Sequence, residues 1–193
     1  MKSICVFCGS STGASEAHDT GARQLAANLV DRQLALVYGG GNVGLMGVIA
    51  NEVLRLGGHV TGVIPQALMD KEVGHINLSK LHIVRNMHQR KALMAELSDG
   101  FIAMPGGIGT LEELFEMFTW LQLGFHEKPL GLLNVNGYYD GLITFLQHTV
   151  RSKFLKPEHL ALLINEADPN QLLQRFANFQ SPHLNKWLSK KDL

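Results

Sequence analysis

The stretch FIAMPGGIGTLEE, residues 101–113, is the part of the chain from which the fold can be worked out. It begins with three apolar residues that predict a buried strand, and it runs into a segment whose apolar spacing predicts a helix. Gly106, Gly107 and Gly109 remove the side chains that would keep a ligand away from the backbone. A helix N-terminus adds unpaired N–H groups and the positive end of the helix dipole. The expected ligand of this junction is therefore an anion, most plausibly a phosphate.

A second interpretation of the same stretch is a capping box. Thr110 fits the N-cap position, and Glu113 would then fold back onto the N-cap N–H. A capping box needs no glycines before it, whereas a phosphate cradle does. The glycines therefore favour the ligand site.

Length and composition limit the class of protein. With 193 residues, of which 46% are hydrophobic, the chain can bury one good core, and we expect a single domain. The 17 basic and 17 acidic residues balance, so no nucleic acid or anionic membrane is expected as a partner. The apolar run near the start is too short for a signal peptide or a membrane span, which predicts a cytoplasmic protein.

Cysteine and histidine usage predicts no metal and no disulfide. Cys5 and Cys8 are three positions apart on a predicted strand, so their side chains should lie on opposite faces as buried thiols. The nine histidines form no metal-binding motif, and no cofactor is expected.

Strand and helix patterns alternate along the chain. The predicted strands are 2–8, 34–38, 59–64, 81–84, the run at Phe101, 129–133 and 160–164. The predicted helices are 14–33, 45–56, 87–97, the one that ends at Leu123, 138–150 and 169–179. The polar segment 66–79 is a long excursion, and the tail from Ser181 has little pattern. This alternation predicts an α/β fold, a Rossmann-like open parallel sheet with helices on both faces.

Three glycine turns should meet at one edge of that sheet. Ligands of open parallel sheets bind beyond the carboxyl ends of the strands. The turns at Gly9, at residues 39–44 and at residues 106–109 all follow predicted strands. Their convergence on one crevice predicts a binding site.

Residues 39–44 also match the dinucleotide fingerprint G-x-G-x-x-G between a strand and a helix. The motif follows the second strand rather than the first, and the next strand ends at Pro65 without an acidic residue for a ribose diol. Gly109 is followed by Thr110 and not by a Walker lysine. The sequence thus argues against a dinucleotide enzyme and against a P-loop nucleoside triphosphatase.

Charged residues near the strand ends are candidates for chemistry: Glu72, Arg90, Lys91, Glu112 and Glu113. Arg90 lies close to a helix N-terminus, where a cation opposes the dipole unless an anion is nearby. That position predicts a ligand phosphate or Glu113 as its partner.

These motifs together resemble the LOG ("lonely guy") family of cytokinin riboside 5′-monophosphate phosphoribohydrolases. The resemblance is carried by residues 105–113 (PGGIGTLEE), 87–91 (MHQRK) and 39–47 (GGGNVGLMG), with 8–11 and 63–65 in their family places, and it spans about residues 2–180. Many members bear the label lysine decarboxylase, but no lysine lies in a recognisable pyridoxal phosphate context here. The resemblance implies hydrolysis of the N-glycosidic bond of a nucleoside 5′-monophosphate, and similar bacterial members often also act on AMP.

The resemblance also implies roles for individual residues. Arg90 and Glu113 match the catalytic pair, and Gly107, Gly109 and Thr110 would hold the 5′-phosphate. The full set of implied substrate-binding residues is Gly9, Ser10, Gly40, Gly41, Met46, Glu72, Lys91, Gly106, Gly107, Ile108, Gly109, Thr110 and Glu112. Arg90 would either keep Glu113 ionised or bind phosphate, and the sequence leaves both roles open.

The family forms dimers with the site near the subunit interface. Five apolar residues on the helix after the motif give it more apolar surface than one face usually needs: Phe115, Met117, Phe118, Trp120 and Leu121. A homodimer is therefore expected, with core packing as the other explanation of these residues. A non-catalytic nucleotide sensor is the second functional hypothesis, and the preferred base stays open.

Overall fold

The structure, a computed structural model, describes residues 1–69 and 74–181. The strands are β1 (Ser3–Phe7), β2 (Ala35–Tyr38), β3 (Val60–Pro65), β4 (Lys80–Val84), β5 (Phe101–Ala103), β6 (Leu130–Leu133) and β7 (Leu163–Glu166). The α-helices are α1 (Glu16–Asp31), α2 (Gly44–Arg55), α3 (Gln66–Met69), α4 (Met87–Glu96), α5 (Ile108–Leu123), α6 (Asp140–Arg151), α7 (Pro157–Leu160) and α8 (Pro169–Ala177). A short 3-10 turn, Val135–Gly137, precedes α6.

The strands form one parallel sheet in the order β4-β3-β2-β1-β5-β6-β7. The chain builds outward from β1 to β4 and then continues on the other side of β1 with β5, so the strand order reverses between β1 and β5. Open parallel sheets bind their ligands at such a reversal, outside the carboxyl ends of the strands. The predicted Rossmann-like α/β fold is confirmed.

Helices cover both faces of the sheet with separate apolar layers. One layer joins the sheet to α1, α2 and α8, and the other joins it to α4, α5 and α6. Cys8 lies in the first layer and Cys5 in the second, and both are buried free thiols. The prediction that the two side chains point to opposite faces is therefore confirmed.

Side-chain caps explain where several helices begin. Ser15, Asn86 and Asp168 each accept a hydrogen bond from a backbone N–H in the first turn of α1, α4 and α8. At the other end of α5, Gly124 takes a left-handed conformation with φ 81°. A left-handed residue after the last turn closes a helix, and glycine adopts it without steric penalty.

The predicted last strand is wrong in position. The apolar run 160–164 was expected to be extended, but α7 ends at Leu160 and β7 begins only at Leu163. Pro157 at the first turn of α7 has a backbone angle that suits a helix start, so the run is divided between a helix and a strand.

Two sequence expectations fall on residues that are not described. Glu72 lies in the gap between Met69 and Gly74, and the tail after Ser181 lies beyond the last described residue. Among the described residues, no helix is long and apolar enough to cross a membrane, and no group of His, Cys, Asp and Glu could hold a metal ion.

Candidate active site

Three loops that follow strand ends pack directly against one another at the carboxyl edge of the sheet. The Gly9 N–H donates to the carbonyl of Pro105 at 3.0 Å, and the Gly9 carbonyl accepts from the Leu45 N–H at 3.0 Å. A Cβ added to Gly44 would lie 2.2 Å from the carbonyl carbon of Ser10, so this approach requires glycine. The glycine turns therefore meet, as the strand-end rule predicts.

The start of α5 differs from the sequence prediction. The helix begins at Ile108 with Gly107 as its N-cap, and no side chain caps it. Thr110 is a helical residue and 4% exposed, so the prediction that it is the N-cap is wrong. The helix begins earlier because the Leu111 N–H already bonds the Gly107 carbonyl at 3.2 Å. The capping box of Thr110 and Glu113 is therefore not formed.

The glycines of this loop fall into two kinds. A Cβ on Gly106 would lie 2.2 Å from Thr110 Oγ1 and 2.8 Å from the Gly9 nitrogen, so Gly106 is needed for packing. A Cβ on Gly107 or Gly109 would meet no described protein atom within 4 Å. These two positions border open space at a helix N-terminus, where N–H groups lack intrahelical partners. We refer to residues 106–110 as the anion cradle.

Glu113 and Arg90 lie together beside the cradle. Glu113 is 9% exposed, and its Oε1 lies 3.6 Å from Arg90 Nη2. Burial raises the pKa of Glu113, and the nearby Arg90 guanidinium offsets this only in part. Arg90 Nε donates to the Val63 carbonyl at 3.2 Å, and its Nη2 occupies the space that a Cβ on Gly39 would take, 1.8 Å away. Of the two partners predicted for Arg90, a phosphate or Glu113, the structure has Glu113 beside it as a loose ion pair.

Lys91 and Glu112, both predicted to bind substrate, pair with each other. Lys91 Nζ contacts Glu112 and lies 3.1 Å from Glu116 Oε1. Burial lowers the pKa of Lys91, but the hydrogen bonds to Glu112 and Glu116 outweigh it, and the pKa is raised overall. Lys91 therefore remains a cation one residue after Arg90, and its contact with substrate stays a prediction.

The second glycine loop is held in place from the side of residue 75. The His75 N–H donates to the Gly40 carbonyl at 2.8 Å, and Gly41 forms an isolated bridge with Gly74. Gly40 needs its glycine, since its φ is 75°. Met46 is partly buried against the α1–α2 layer. Gly40 and Gly41 are thus buried in the turn after β2, Met46 packs against the core, and contact of these three residues with substrate stays a prediction.

A cavity of about 300 Å³ lies at the reversal of strand order, between the turn after β1 and the cradle. Its lining includes four of the predicted substrate-binding residues, Gly9, Ser10, Gly106 and Gly107. A larger hollow of about 920 Å³ lies between the ends of α4 and α5 and the start of β5. That hollow borders the opposite edge of the sheet, where ligands of this fold class do not bind. The smaller cavity is therefore the better candidate.

Two tyrosines that the sequence analysis did not single out also contact the loop. The Tyr138 hydroxyl donates to the Gly106 carbonyl at 2.6 Å, and the Tyr139 hydroxyl donates to the Met104 carbonyl at 2.6 Å. Their position after β6, at the same edge of the sheet as the glycine turns, was the available signal.

The fold is Rossmann-like, and the site consists of the glycine loop at the start of α5 and the buried carboxylate of Glu113, whose pKa is raised. Solved structures of the same fold include the molybdenum cofactor binding protein of Rippkaea orientalis, with a TM-score of 0.69, 19% identity, and coverage of 92% of this chain and 97% of that one. The molybdenum cofactor carrier protein of Chlamydomonas reinhardtii has a TM-score of 0.69 at 18% identity, covering 92% and 99%. At these identities the likeness supports the fold alone.

Sequence relatives are much closer. The profile of a family described as "Possible lysine decarboxylase" matches residues 46–176. The cytokinin riboside 5′-monophosphate phosphoribohydrolase LOG5 of Arabidopsis thaliana is 49% identical over 93% of this chain and 79% of its own length. The corresponding LOG1 of Arabidopsis thaliana is 46% identical over 99% of this chain and 89% of its own length. The chain belongs to the LOG family, whose curated members named here are phosphoribohydrolases, so the resemblance seen in the sequence is confirmed.

Proposed function

We propose that this enzyme hydrolyses the N-glycosidic bond of adenosine 5′-monophosphates, including N6-substituted ones, to the free base and ribose 5-phosphate. The observation that carries the proposal is the buried Glu113 carboxylate, which lies 3.6 Å from Arg90 and three residues after the end of the anion cradle in α5. The activity named for the LOG relatives requires the same two elements, a phosphate site and a group for glycosidic bond cleavage. The description of the matching family as possible lysine decarboxylases finds no support in these residues.

In the proposed reaction, the bond between C1′ and the base nitrogen breaks and its electron pair leaves with the base. The sugar then carries oxocarbenium-like positive charge at C1′, which a nearby carboxylate stabilises. Water attacks C1′ and gives up a proton to Glu113, the departing base takes a proton from solvent, and Glu113 then returns its proton to solvent. Glu113 suits this step because burial has raised its pKa, which makes it a better proton acceptor than an exposed glutamate.

Arg90 has two proposed roles. Its charge keeps Glu113 ionised despite burial, or it binds the substrate phosphate once that is present. The loose 3.6 Å separation of Arg90 Nη2 and Glu113 Oε1 supports both, since it exceeds hydrogen-bond distance and leaves the guanidinium able to bind a further anion. The remaining substrate contacts proposed are those of the cradle, the Gly9–Ser10 turn, Gly40–Gly41, Met46, Lys91, Glu112 and Glu72.

The 5′-phosphate should be required for turnover, because the cradle has no other evident role. The experiment is product analysis of a panel of nucleoside monophosphates, with adenosine as the control that lacks only the phosphate. We expect free base and ribose 5-phosphate from AMP or an N6-prenyl AMP, and a far lower rate with adenosine. Similar rates with AMP and adenosine would contradict the cradle assignment.

A non-catalytic nucleotide sensor is the alternative. Binding a phosphate does not require a buried carboxylate next to it, so the presence of Glu113 beside the cradle favours an enzyme. The same incubation separates the two, because a sensor would bind AMP without releasing adenine.

We further propose a cytoplasmic, single-domain homodimer. Three of the five apolar residues expected to indicate an interface, Met117, Phe118 and Leu121, are buried in the core of the chain itself, so core packing explains them. Exposed apolar side chains near the starts of α4 and α5, Met87 at 42% and Ile108 at 82% exposure, are instead the candidates for the interface. A monomeric mass by light scattering at micromolar concentration would contradict the dimer.

A further inference from the structure

The loop that leads into the cradle, residues 104–107, has a hydrogen-bond donor at every backbone carbonyl. Each carbonyl group from Met104 to Gly107 accepts a hydrogen bond from another part of the protein. The four donors, in order, are the Tyr139 hydroxyl at 2.6 Å, the Gly9 N–H at 3.0 Å, the Tyr138 hydroxyl at 2.6 Å and the Leu111 N–H at 3.2 Å. The negative ends of these four peptide groups are therefore all engaged.

This arrangement matters for an anion site. A peptide group is planar and trans, so its C=O and N–H point in opposite directions, and the described residues contain no cis peptide bond. A carbonyl that rotates toward a bound phosphate repels it and turns the attached N–H away. Holding the Gly106 carbonyl on a fixed donor prevents that rotation in the peptide that joins Gly106 to Gly107. Glycines on both sides leave this peptide otherwise free to rotate.

Tyr138 contacts two aromatic rings, and its neighbour Tyr139 is anchored in the core. The next residue, Tyr139, is 1% exposed, its N–H donates to the Asn134 side chain at 2.7 Å, and the two tyrosine rings meet edge to face at 5.0 Å. Tyr138 itself is 47% exposed and borders the cavity beside His18, whose ring it meets edge to face at 5.7 Å. Burial raises the pKa of Tyr139, which keeps its hydroxyl a donor.

We propose that Tyr138 is a positioning residue that holds the Gly106 carbonyl away from the substrate phosphate and so fixes the cradle in its anion-binding conformation. The proposal rests on the proposed function, since it assumes a phosphate ligand in the cradle. Tyr138 acts on binding of the phosphate and not on bond cleavage. Tyr139 anchors the start of the same loop from the buried side.

The test is Tyr138→Phe, which removes the hydroxyl and keeps the ring. The matched control is Tyr38→Phe, because the Tyr38 hydroxyl is buried and has no hydrogen-bond partner among the described residues. For Tyr138→Phe, KM for AMP should rise about three- to tenfold, the scale of one lost hydrogen bond, with kcat changed less than about twofold. The inhibition constant of ribose 5-phosphate should rise by the same factor, while that of adenine stays unchanged.

The outcomes separate the two proposals. An unchanged KM and an unchanged ribose 5-phosphate inhibition constant, in an otherwise active Tyr138→Phe enzyme, would overturn the positioning role. A fall in kcat at constant KM would also overturn it. If the wild-type enzyme does not hydrolyse AMP, the proposed function fails, and calorimetric binding of inorganic phosphate to wild type and Tyr138→Phe still tests the cradle. Equal phosphate affinities, with equal melting temperatures, would then overturn the positioning role on its own.

Discussion

Glu52 and Glu113 are two glutamates with nearly the same exposure, 7% and 9%, in regions with different partners. Glu52, on α2, accepts hydrogen bonds from Arg55 at 2.6 and 3.0 Å and from Arg23 at 3.2 Å. Those hydrogen bonds, chiefly from Arg55, lower its pKa. Among the described residues Glu113 has one ion-pair contact, Arg90 at 3.6 Å, and burial raises its pKa. Close pairing makes a carboxylate inert, whereas burial with a loose partner leaves it available to a proton or a developing positive charge.

The largest effect should come from neutralising Glu113, with the same change at Glu52 as the control. Glu113→Gln should lower kcat for AMP by about a hundredfold or more, the scale of general acid–base catalysis, while AMP binding is kept. Glu52→Gln is the control, and its kcat should match that of the wild type. Steady-state rates with calorimetric AMP binding measure both. A fully active Glu113→Gln enzyme would move the search to Glu112 and Glu72.

Removing Arg90, the cation beside Glu113, should have the next largest effect, with removal of Arg55 beside Glu52 as the control. Arg90→Ala should lower kcat/KM for AMP by roughly tenfold to a hundredfold, while Arg55→Ala leaves it unchanged. Arg90 lowers the pKa of Glu113, so its loss should also shift the acid limb of activity to higher pH. A rise in KM alone would assign Arg90 to phosphate, and a fall in kcat would assign it to Glu113. Rates and a pH profile identical to wild type would contradict both roles.

A third variant separates the ligand site from the fold. Gly109→Ala places a methyl group where no described atom lies within 4 Å, so the fold should tolerate it. Alanine in place of a helical glycine should even stabilise the protein by about 0.5–1 kcal/mol. KM for AMP should nevertheless rise, by about tenfold for the loss of close phosphate approach. Gly106→Ala is the contrast, since its Cβ would clash 2.2 Å from Thr110 Oγ1 and lower the melting temperature. An unchanged KM in Gly109→Ala would place the phosphate elsewhere.

The smallest expected effect is on stability, and it has opposite signs in the two regions. In the folded protein the pKa of Glu52 lies below its ordinary value of 4.5. Ionised Glu52 therefore adds to the free energy of unfolding above pH 4.5, and this contribution is lost as the pH falls through the pKa of the folded state. The raised pKa of Glu113 means that stability falls as pH rises from 4.5 through the higher folded value. At pH 7, Glu52→Gln should therefore lose up to about 1 kcal/mol, whereas Glu113→Gln should lose none. Thermal melts at pH 7 and pH 4 measure this, and equal losses in both variants would contradict the comparison.

The sequence was sufficient for the fold class, and it left a phosphate and Glu113 as the two possible partners of Arg90. Alternating apolar segments specify strands and helices, and the strand-end rule then brings the glycine turns together. The sequence was not sufficient for details that depend on three-dimensional contacts. Thr110 matched a capping pattern, yet Gly107 begins the helix, because a backbone bond from Leu111 decides the start. For Tyr138 the only signal was its position after β6, and its bond to Gly106 could not be predicted, since it joins residues 32 positions apart.

The acid limb of the pH dependence of kcat tests the central claim most directly, because it reports the ionisation of Glu113 in the working enzyme. With saturating AMP, wild type should lose activity on the acid side with an apparent pKa above 4.5, the ordinary value for glutamate. The residual activity of Glu113→Gln should show no such limb, and Glu52→Gln should follow the wild type. A wild-type kcat that stays constant down to pH 4.5, or an acid limb that persists in Glu113→Gln, would contradict the account.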